Sequence, residues 1–128
     1  MIARVSTVYG AYLVDLDAEA VLGPAEEPVL PEPLLELGLP LVVATAASGS
    51  TIVAVVDRRP PLVISNDAGR TWREAGGGLP PGRAVALAEN PDLVLYAARN
   101  RLYFSRNGGV FWSSLAPELP EIDAVEFS

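Results

Sequence analysis

The stretch Ser65-Asn66-Asp67-Ala68-Gly69-Arg70-Thr71-Trp72 recurs in altered form 40 residues later, as Ser105-Arg106-Asn107-Gly108-Gly109-Val110-Phe111-Trp112. The dipeptide Leu-Pro follows the same spacing, at positions 39–40, 79–80 and 119–120. A fixed period of this length indicates repeated supersecondary units that stack on one another. The repeat therefore bears on the architecture of the whole chain.

Each repeated unit reads as short strands separated by turns. In one unit, residues 44–47, 51–56, 62–65 and 71–74 are the strand candidates, and Gly, Pro, Asp and Asn mark the breaks between them. The next unit repeats the plan at 84–88, 93–97, 102–105 and 110–113. Four short strands per unit predict an all-β fold built of antiparallel meanders.

The two ends of the chain supply the parts of one further unit. Residues 8–14 resemble residues 95–104 and read as a second and a third strand, while 124–125 falls 40 residues after 84–85 and reads as a first strand. The predicted units are residues 4–38 together with a strand at 122–127, residues 41–78, and residues 81–118. We expect them to form one domain.

The Ser65–Trp72 stretch resembles the Asp-box motif, Ser-x-Asp-x-Gly-x-Thr-Trp, or bacterial neuraminidase repeat. This motif is typical of sialidase-like, sortilin-like and photosystem-assembly-factor-like β-propellers. The first copy matches at all five defining positions, which are Ser65, Asp67, Gly69, Thr71 and Trp72. The second copy keeps Ser105, Gly109 and Trp112, and has Asn107 and Phe111 in place of Asp and Thr. The resemblance covers about residues 40–120 and implies that each unit is a four-stranded propeller blade.

The motif residues are expected to hold the fold rather than a ligand. The Asp67 and Asn107 side chains can accept hydrogen bonds from turn amides, and the motif glycines permit a positive φ. We expect the two tryptophan rings to be buried between neighbouring blades. The motif loop supplies too few carboxylates for calcium, so no metal site is predicted.

Three blades per chain leave two open sheet ends, because known propellers close with about four or more blades. A two-fold homodimer would give a closed ring of six blades. Strand 122–127 would then complete the first blade of the partner chain, since open edges favour pairing with another chain. A separate partner protein or a longer parent propeller are the alternatives.

Composition removes several classes of chemistry. The 128 residues include no His, Cys or Lys, and all nine cations are arginines. A Ser-His-Asp triad, a Cys-His dyad, a Lys Schiff base and a His-ligated zinc site are therefore excluded within one chain. The net charge of −7 argues against nucleic-acid and anionic-membrane binding. With no spanning apolar run and no clear signal peptide, we expect a cytoplasmic protein without a cofactor.

Arginine and tyrosine side chains concentrate on one set of predicted turns. The turn between the second and third strands of a blade lies at the opposite end from the motif, and the loop between blades opens on that same end. These turns carry Arg58, Arg59, Arg83, Arg99, Arg101, Tyr9 and Tyr12. Guanidinium groups on adjacent turns can hold a carboxylate, a phosphate or an acidic peptide. The alternative is that they keep an acidic protein soluble.

Two further segments carry predictions about packing. The acidic, proline-rich stretch 23–36 reads as a linker or interaction loop, or as a turn with an irregular outer strand. In the latter reading Leu34, Leu35 and Leu37 pack inward. The aromatic residues predicted to lie in the core are Tyr96, Tyr103, Phe104 and Phe111.

These features favour a non-enzymatic β-propeller module that binds a protein partner or a small anionic ligand, such as a scaffold or assembly factor. The alternative is a sialidase-like or glycoside-hydrolase-like enzyme, or a sugar-binding lectin. The resembling enzymes use an arginine cluster, a Tyr–Glu pair and an acidic Asp at the ring centre. No local motif of this sequence assigns those roles, so no catalytic residue is predicted.

Overall fold

The computed structural model describes residues 1–128 and contains twelve β-strands. The first six strands are β1 (Ile2–Thr7), β2 (Gly10–Asp15), β3 (Ala20–Pro24), β4 (Val42–Ser48), β5 (Thr51–Val56) and β6 (Leu62–Ser65). The others are β7 (Arg73–Ala75), β8 (Ala84–Leu87), β9 (Val94–Ala97), β10 (Leu102–Ser105), β11 (Ser113–Ser114) and β12 (Ile122–Phe127). No helix suited by length and hydrophobicity to crossing a membrane is present.

The strands form three antiparallel sheets of four strands each. Sheet 1 has the order β12-β1-β2-β3, sheet 2 the order β4-β5-β6-β7, and sheet 3 the order β8-β9-β10-β11. The predicted all-β class and the predicted four-stranded antiparallel sheets are therefore confirmed.

The C-terminal strand completes the sheet that the N-terminal strands begin. β12 pairs with β1 of the same chain, with Val5 opposite Val125 and Arg4 opposite Glu126. The side chain of Ile122 is fully buried, and that of Val125 nearly so. β12 thus occupies the first-strand position of sheet 1, which the 40-residue period predicts for residues 122–127.

Sheet 3 lies in the middle of an open arc. Its first strand, β8, contacts both β4 of sheet 2 and β12 of sheet 1, whereas β4 and β12 do not contact each other. One apolar core fills the space between sheets 3 and 1, where Leu95, Leu102 and Phe104 pack in one cluster with Val5 and Val14. Burial of each large side chain in such a core contributes about 1.5–3 kcal/mol.

A second core joins sheets 2 and 3. Val55, Leu62 and Ile64 of sheet 2 pack there with Val94 and Tyr96 of sheet 3. Successive side chains of a strand point to opposite faces, so β9 sends Val94 and Tyr96 to one core and Leu95 to the other. The alternating side chains of sheet 3 therefore pack against sheet 1 on one face and against sheet 2 on the other.

The two outer faces of the arc differ in chemistry. On sheet 2, Ala54, Val56 and Val63 are apolar and are covered by a small cluster that includes Leu37 and Trp72. On sheet 1, the register places Arg4, Ser6 and Glu126 on the face opposite the core residues Val5 and Val125. The equivalent positions of sheet 3 are Leu95, Ala97 and Ala86, which lie in the core. The series of apolar interfaces therefore ends at sheet 1 with a polar face.

The segment 25–41, which we call the strap, lacks the irregular outer strand that one of the two interpretations of residues 23–36 predicted. The outer strand of sheet 1 is β3, and the strap itself contains no strand. Leu34 and Leu35 are exposed, contrary to the expected inward packing, and Leu37 is half-buried. Prolines at 28, 31 and 33 lack the amide donors that a strand ladder needs, so the strap runs across the molecule without pairing.

Two aromatic predictions also need correction. Phe111 is exposed rather than in the core, because residues 106–112 form a turn and β11 begins only at Ser113. Trp72 packs on the outer face of sheet 2 and not between two sheets, whereas Trp112 does pack against the core between sheets 2 and 3. Tyr96 and Phe104 are buried as predicted, and Tyr103 is half-buried beside Tyr96.

Candidate binding groove

The first motif turn is held by hydrogen bonds that converge on Asp67 and Ser65. The Thr71 amide and hydroxyl donate to the Asp67 carboxylate at 2.8 and 2.6 Å, and the Ser65 hydroxyl donates to it at 2.7 Å. The Gly69 amide donates to Ser65 Oγ at 2.8 Å. Gly69 has a φ of 91°, which favours glycine. These bonds are all local, so they serve the turn itself.

The carboxyl of Asp67 titrates at an unusually low pH. The Thr71 hydroxyl, followed by the Thr71 amide and the Ser65 hydroxyl, stabilises the charged form and lowers the pKa of Asp67 from 3.8 to about 2. The second turn keeps the same pattern in a neutral form. There the Gly109 amide donates to Ser105 Oγ at 2.9 Å and the Phe111 amide donates to Asn107 Oδ1 at 3.0 Å.

At the opposite end, most of the predicted arginines already have carboxylate partners. Arg58 pairs with Glu74 at 2.9 Å, and Arg101 pairs with Glu118 at 2.8 Å. Arg59 makes no ion pair.

Two of the remaining arginines share one carboxylate. Arg83 and Arg99 both contact Glu121 Oε1, at 3.0 and 3.3 Å. Tyr9 is exposed and Tyr12 is half-buried. Four of the predicted residues therefore form surface ion pairs, and only the Arg83–Arg99–Glu121 group brings two of them together.

A groove of about 650 Å³ lies on the open side of the arc. Its walls are the first strands of the three sheets, β4, β8 and β12, and the strap crosses it at residues 29–34. Among the arginine and tyrosine side chains predicted to bind a ligand, only Arg83 lines this groove. We call this feature the central groove.

The strands around the central groove have free edges. β4 pairs only with β5, β8 only with β9, and β12 only with β1. An edge strand presents unpaired backbone N–H and C=O groups, which can bind an extended polypeptide by adding a strand. The groove is therefore built to offer backbone hydrogen bonds as well as apolar contacts.

The strap is fastened at two points, one on each side of the groove. The Val29 amide donates to Ser6 Oγ of β1 at 2.7 Å, and the Leu35 amide donates to Thr45 Oγ1 of β4 at 3.1 Å. Val29 is buried, whereas Leu30 between these points is exposed. The strap, which contains no strand, thus already spans the groove from sheet 1 to sheet 2.

Negative charge predominates around the groove. Four carboxylates line it, and Arg83 is its only side-chain cation; the carboxylates belong to Glu32, Glu89, Asp123 and Glu126. Glu126 pairs with Arg4 at 2.9 Å, and Arg83 pairs with Glu121 outside the groove. The other three groove carboxylates have no ion-pair partner. No group of three or more acidic side chains is placed to hold a metal ion.

Sequence reasoning missed the groove residues, although a signal for them exists. The first strands of two units carry small residues, as in Ala44 to Ala47 and Ala84 to Ala88. Small side chains at the innermost positions of sheets 2 and 3 leave space at the centre of the arc. Reading the 40-residue period by strand position would have placed these segments together.

Comparisons with known proteins identify the fold and no family. No protein-family model and no curated protein matches the chain. Among solved structures it is similar to the GH74 enzyme of Niastella koreensis, with a TM-score of 0.54 and 19% identity over 91% of this chain and 17% of that one. It is also similar to YCF48 bound to a D1 peptide, with a TM-score of 0.53 and 18% identity over 88% of this chain and 38% of that one.

Both of these neighbours are β-propellers, and the chain has the fold of propeller blades. The chain spans less than two-fifths of the length of either neighbour.

Proposed function

We propose that this chain is a non-enzymatic β-propeller module that binds a protein partner by taking an extended segment of it into the central groove. The observation that carries the proposal is the arc of three free strand edges, β4, β8 and β12, around a groove that the strap already crosses. Free edges bind extended polypeptides through main-chain hydrogen bonds, with side-chain contacts adding specificity. The YCF48 structure, a propeller bound to a peptide, is consistent with this mode.

The arginine turns favour a protein partner over a small anionic ligand. Four of the five predicted arginines already contact carboxylates of the same chain, and only Arg59 is unpaired. An anionic ligand would have to compete with Glu74, Glu118 and Glu121 at these positions. The proposal also retains the Asp-box character of the motif turns, which the bonds to Asp67 and Ser65 support.

Selection from a display library of unconstrained ten-residue peptides tests the groove. We expect enriched peptides to bind the purified chain and to lose binding when Ala47→Tyr narrows the groove, because Ala47 is exposed on the groove wall. The matched control is Ala18→Tyr, an equally exposed alanine in the turn after β2 and away from the groove. Peptides that bind both variants equally would contradict the proposal.

We further propose that two copies associate as a homodimer through the open side of the arc. Exposed apolar side chains cluster in sequence on the strap and at the start of sheet 2, and they are Leu30, Leu34, Leu35, Leu41 and Val43. Two arcs that face each other would form six blades and cover these side chains. Light scattering should give twice the mass of one chain, and Leu34→Ser with Leu35→Ser should lower it. A single-chain mass at all concentrations would remove the dimer.

A further inference from the structure

We infer that the segment bound in the central groove is cationic, an inference that rests on the proposed function. Glu32, Glu89 and Asp123 line the groove without ion-pair partners, and the single arginine of the lining is already paired with Glu121. The groove therefore has an unbalanced negative charge beside its apolar strand walls. The partner chemistry that fits is an extended segment with apolar residues for the walls and Arg or Lys for the carboxylates.

The position of the carboxylates supports a segment that lies along the strands. Asp123 is on β12, Glu89 follows the end of β8, and Glu32 is on the strap that crosses between sheets 1 and 2. The charges thus come from three separate segments rather than from one loop. In an extended segment, alternate side chains point in opposite directions, so one set can contact the strand walls while the other reaches carboxylates.

The strap has the same sign of charge as the groove that it crosses. It is proline-rich and has no strand pairing, and it carries Glu26, Glu27, Glu32 and Glu36. Of these, only Glu32 lines the groove, and it makes no ion pair there. A separate segment with the same backbone and the opposite charge would remove like-charge repulsion and add attraction.

Three synthetic peptides test the inference directly. Each copies residues 26–36, with the four glutamates kept, replaced by glutamine or replaced by arginine. We expect the full chain to bind the arginine peptide most tightly and the glutamate peptide least, as measured by fluorescence anisotropy. Added salt should weaken the arginine peptide more than the glutamine peptide, because the attraction is between partly exposed charges.

Single substitutions locate the effect. Asp123→Asn and Glu89→Gln should each weaken the arginine peptide about two- to fivefold and leave the glutamine peptide unchanged. Asp57→Asn, an exposed carboxylate at the other end of sheet 2, is the control and should change neither. Equal binding of the arginine and glutamate peptides would overturn the inference and leave the proposed function standing. Failure of all strap peptides and all display peptides to bind would overturn both.

Discussion

In each of the two motif turns, the number of oxygens on the acceptor side chain matches the number of donors on the residue four positions later. The acceptors are Asp67 and Asn107, and the donors belong to Thr71 and Phe111. Asp67 accepts from both the amide and the hydroxyl of Thr71, and its two oxygens carry a full negative charge. In the second turn, Phe111 has no hydroxyl, and the neutral Asn107 accepts only from the Phe111 amide and the Ser105 hydroxyl. The two differences from the full motif are therefore linked, since loss of the hydroxyl removes the need for the second carboxylate oxygen.

This difference predicts how stability depends on pH. The folded-state pKa of Asp67, about 2, lies below its ordinary value of 3.8. Its bonds therefore stabilise the fold above pH 4 and are lost as the pH falls towards 2. Urea midpoints should fall less between these pH values in Asp67→Asn than in the unchanged chain. Asp57→Asn is the control and should keep the full pH dependence; an unaltered dependence in Asp67→Asn would contradict the assignment.

A second residue-scale prediction concerns the close approach of Gly82 to Tyr96. A Cβ at Gly82 would lie 2.5 Å from the nearest atoms of the Tyr96 side chain, which is fully buried and donates to the Pro80 carbonyl. Gly82→Ala should destabilise the fold by about 1–3 kcal/mol, because the ring has no room to move. Gly77→Ala meets no atom within 4 Å and serves as the control in the same denaturation experiment. Equal denaturation midpoints for the two variants would show that the Tyr96 ring can shift to accommodate the added methyl group.

At the scale of elements, β12 completes sheet 1 by pairing with β1, and an engineered disulfide can test this pairing. Val5 and Val125 lie opposite each other, and facing residues of antiparallel strands are about 4.5–5.5 Å apart at Cα, within disulfide range. The chain has no cysteine, so Val5→Cys with Val125→Cys introduces one defined pair. On a non-reducing denaturing gel we expect an internally linked single chain. A covalent dimer would show instead that β12 is exchanged between two copies.

The strand predictions were most accurate for strands that are buried on both faces, because such strands are continuous apolar runs in the sequence. The β-branched run of β5 and the apolar run of β6 are buried throughout most of their lengths, and both were predicted with their observed bounds. The strap misled because leucine composition suggests a core, while the prolines between the leucines remove the hydrogen bonds that would place it there. The prediction for Phe111 was wrong for a related reason. Phe111 lies in a turn and not in a strand, so the alternation of a strand does not place its side chain in the core.

The candidate site was harder to predict than the fold because its parts are distant in sequence. The arginine turns could be located from the repeat, but Arg83 meets Glu121 from 38 positions away. The central groove combines the first strands of three sheets with a strap that pairs with none of these sheets. The 40-residue repeat predicts which positions are equivalent in different units. The groove depends instead on how the three sheets pack against one another, which the repeat does not predict.

At the scale of the whole molecule, the arc has unlike ends and an acidic open side. Sheet 2 ends in an apolar face under the strap, and sheet 1 ends in a face that carries Arg4, Ser6 and Glu126. The unpaired groove carboxylates are part of a net charge of −7, so long-range attraction favours cationic partners at low salt.

Paramagnetic relaxation tests most directly whether the central groove is the binding site. Because the native chain lacks cysteine, Ala47→Cys places one nitroxide label on the groove wall, and Ala18→Cys places one in the turn after β2. NMR spectra of the arginine strap peptide are then recorded with each labelled chain. We expect the label at position 47 to broaden the peptide signals and the label at position 18 to leave them sharp. Broadening from position 18 alone, or equally from both positions, would contradict binding in the groove.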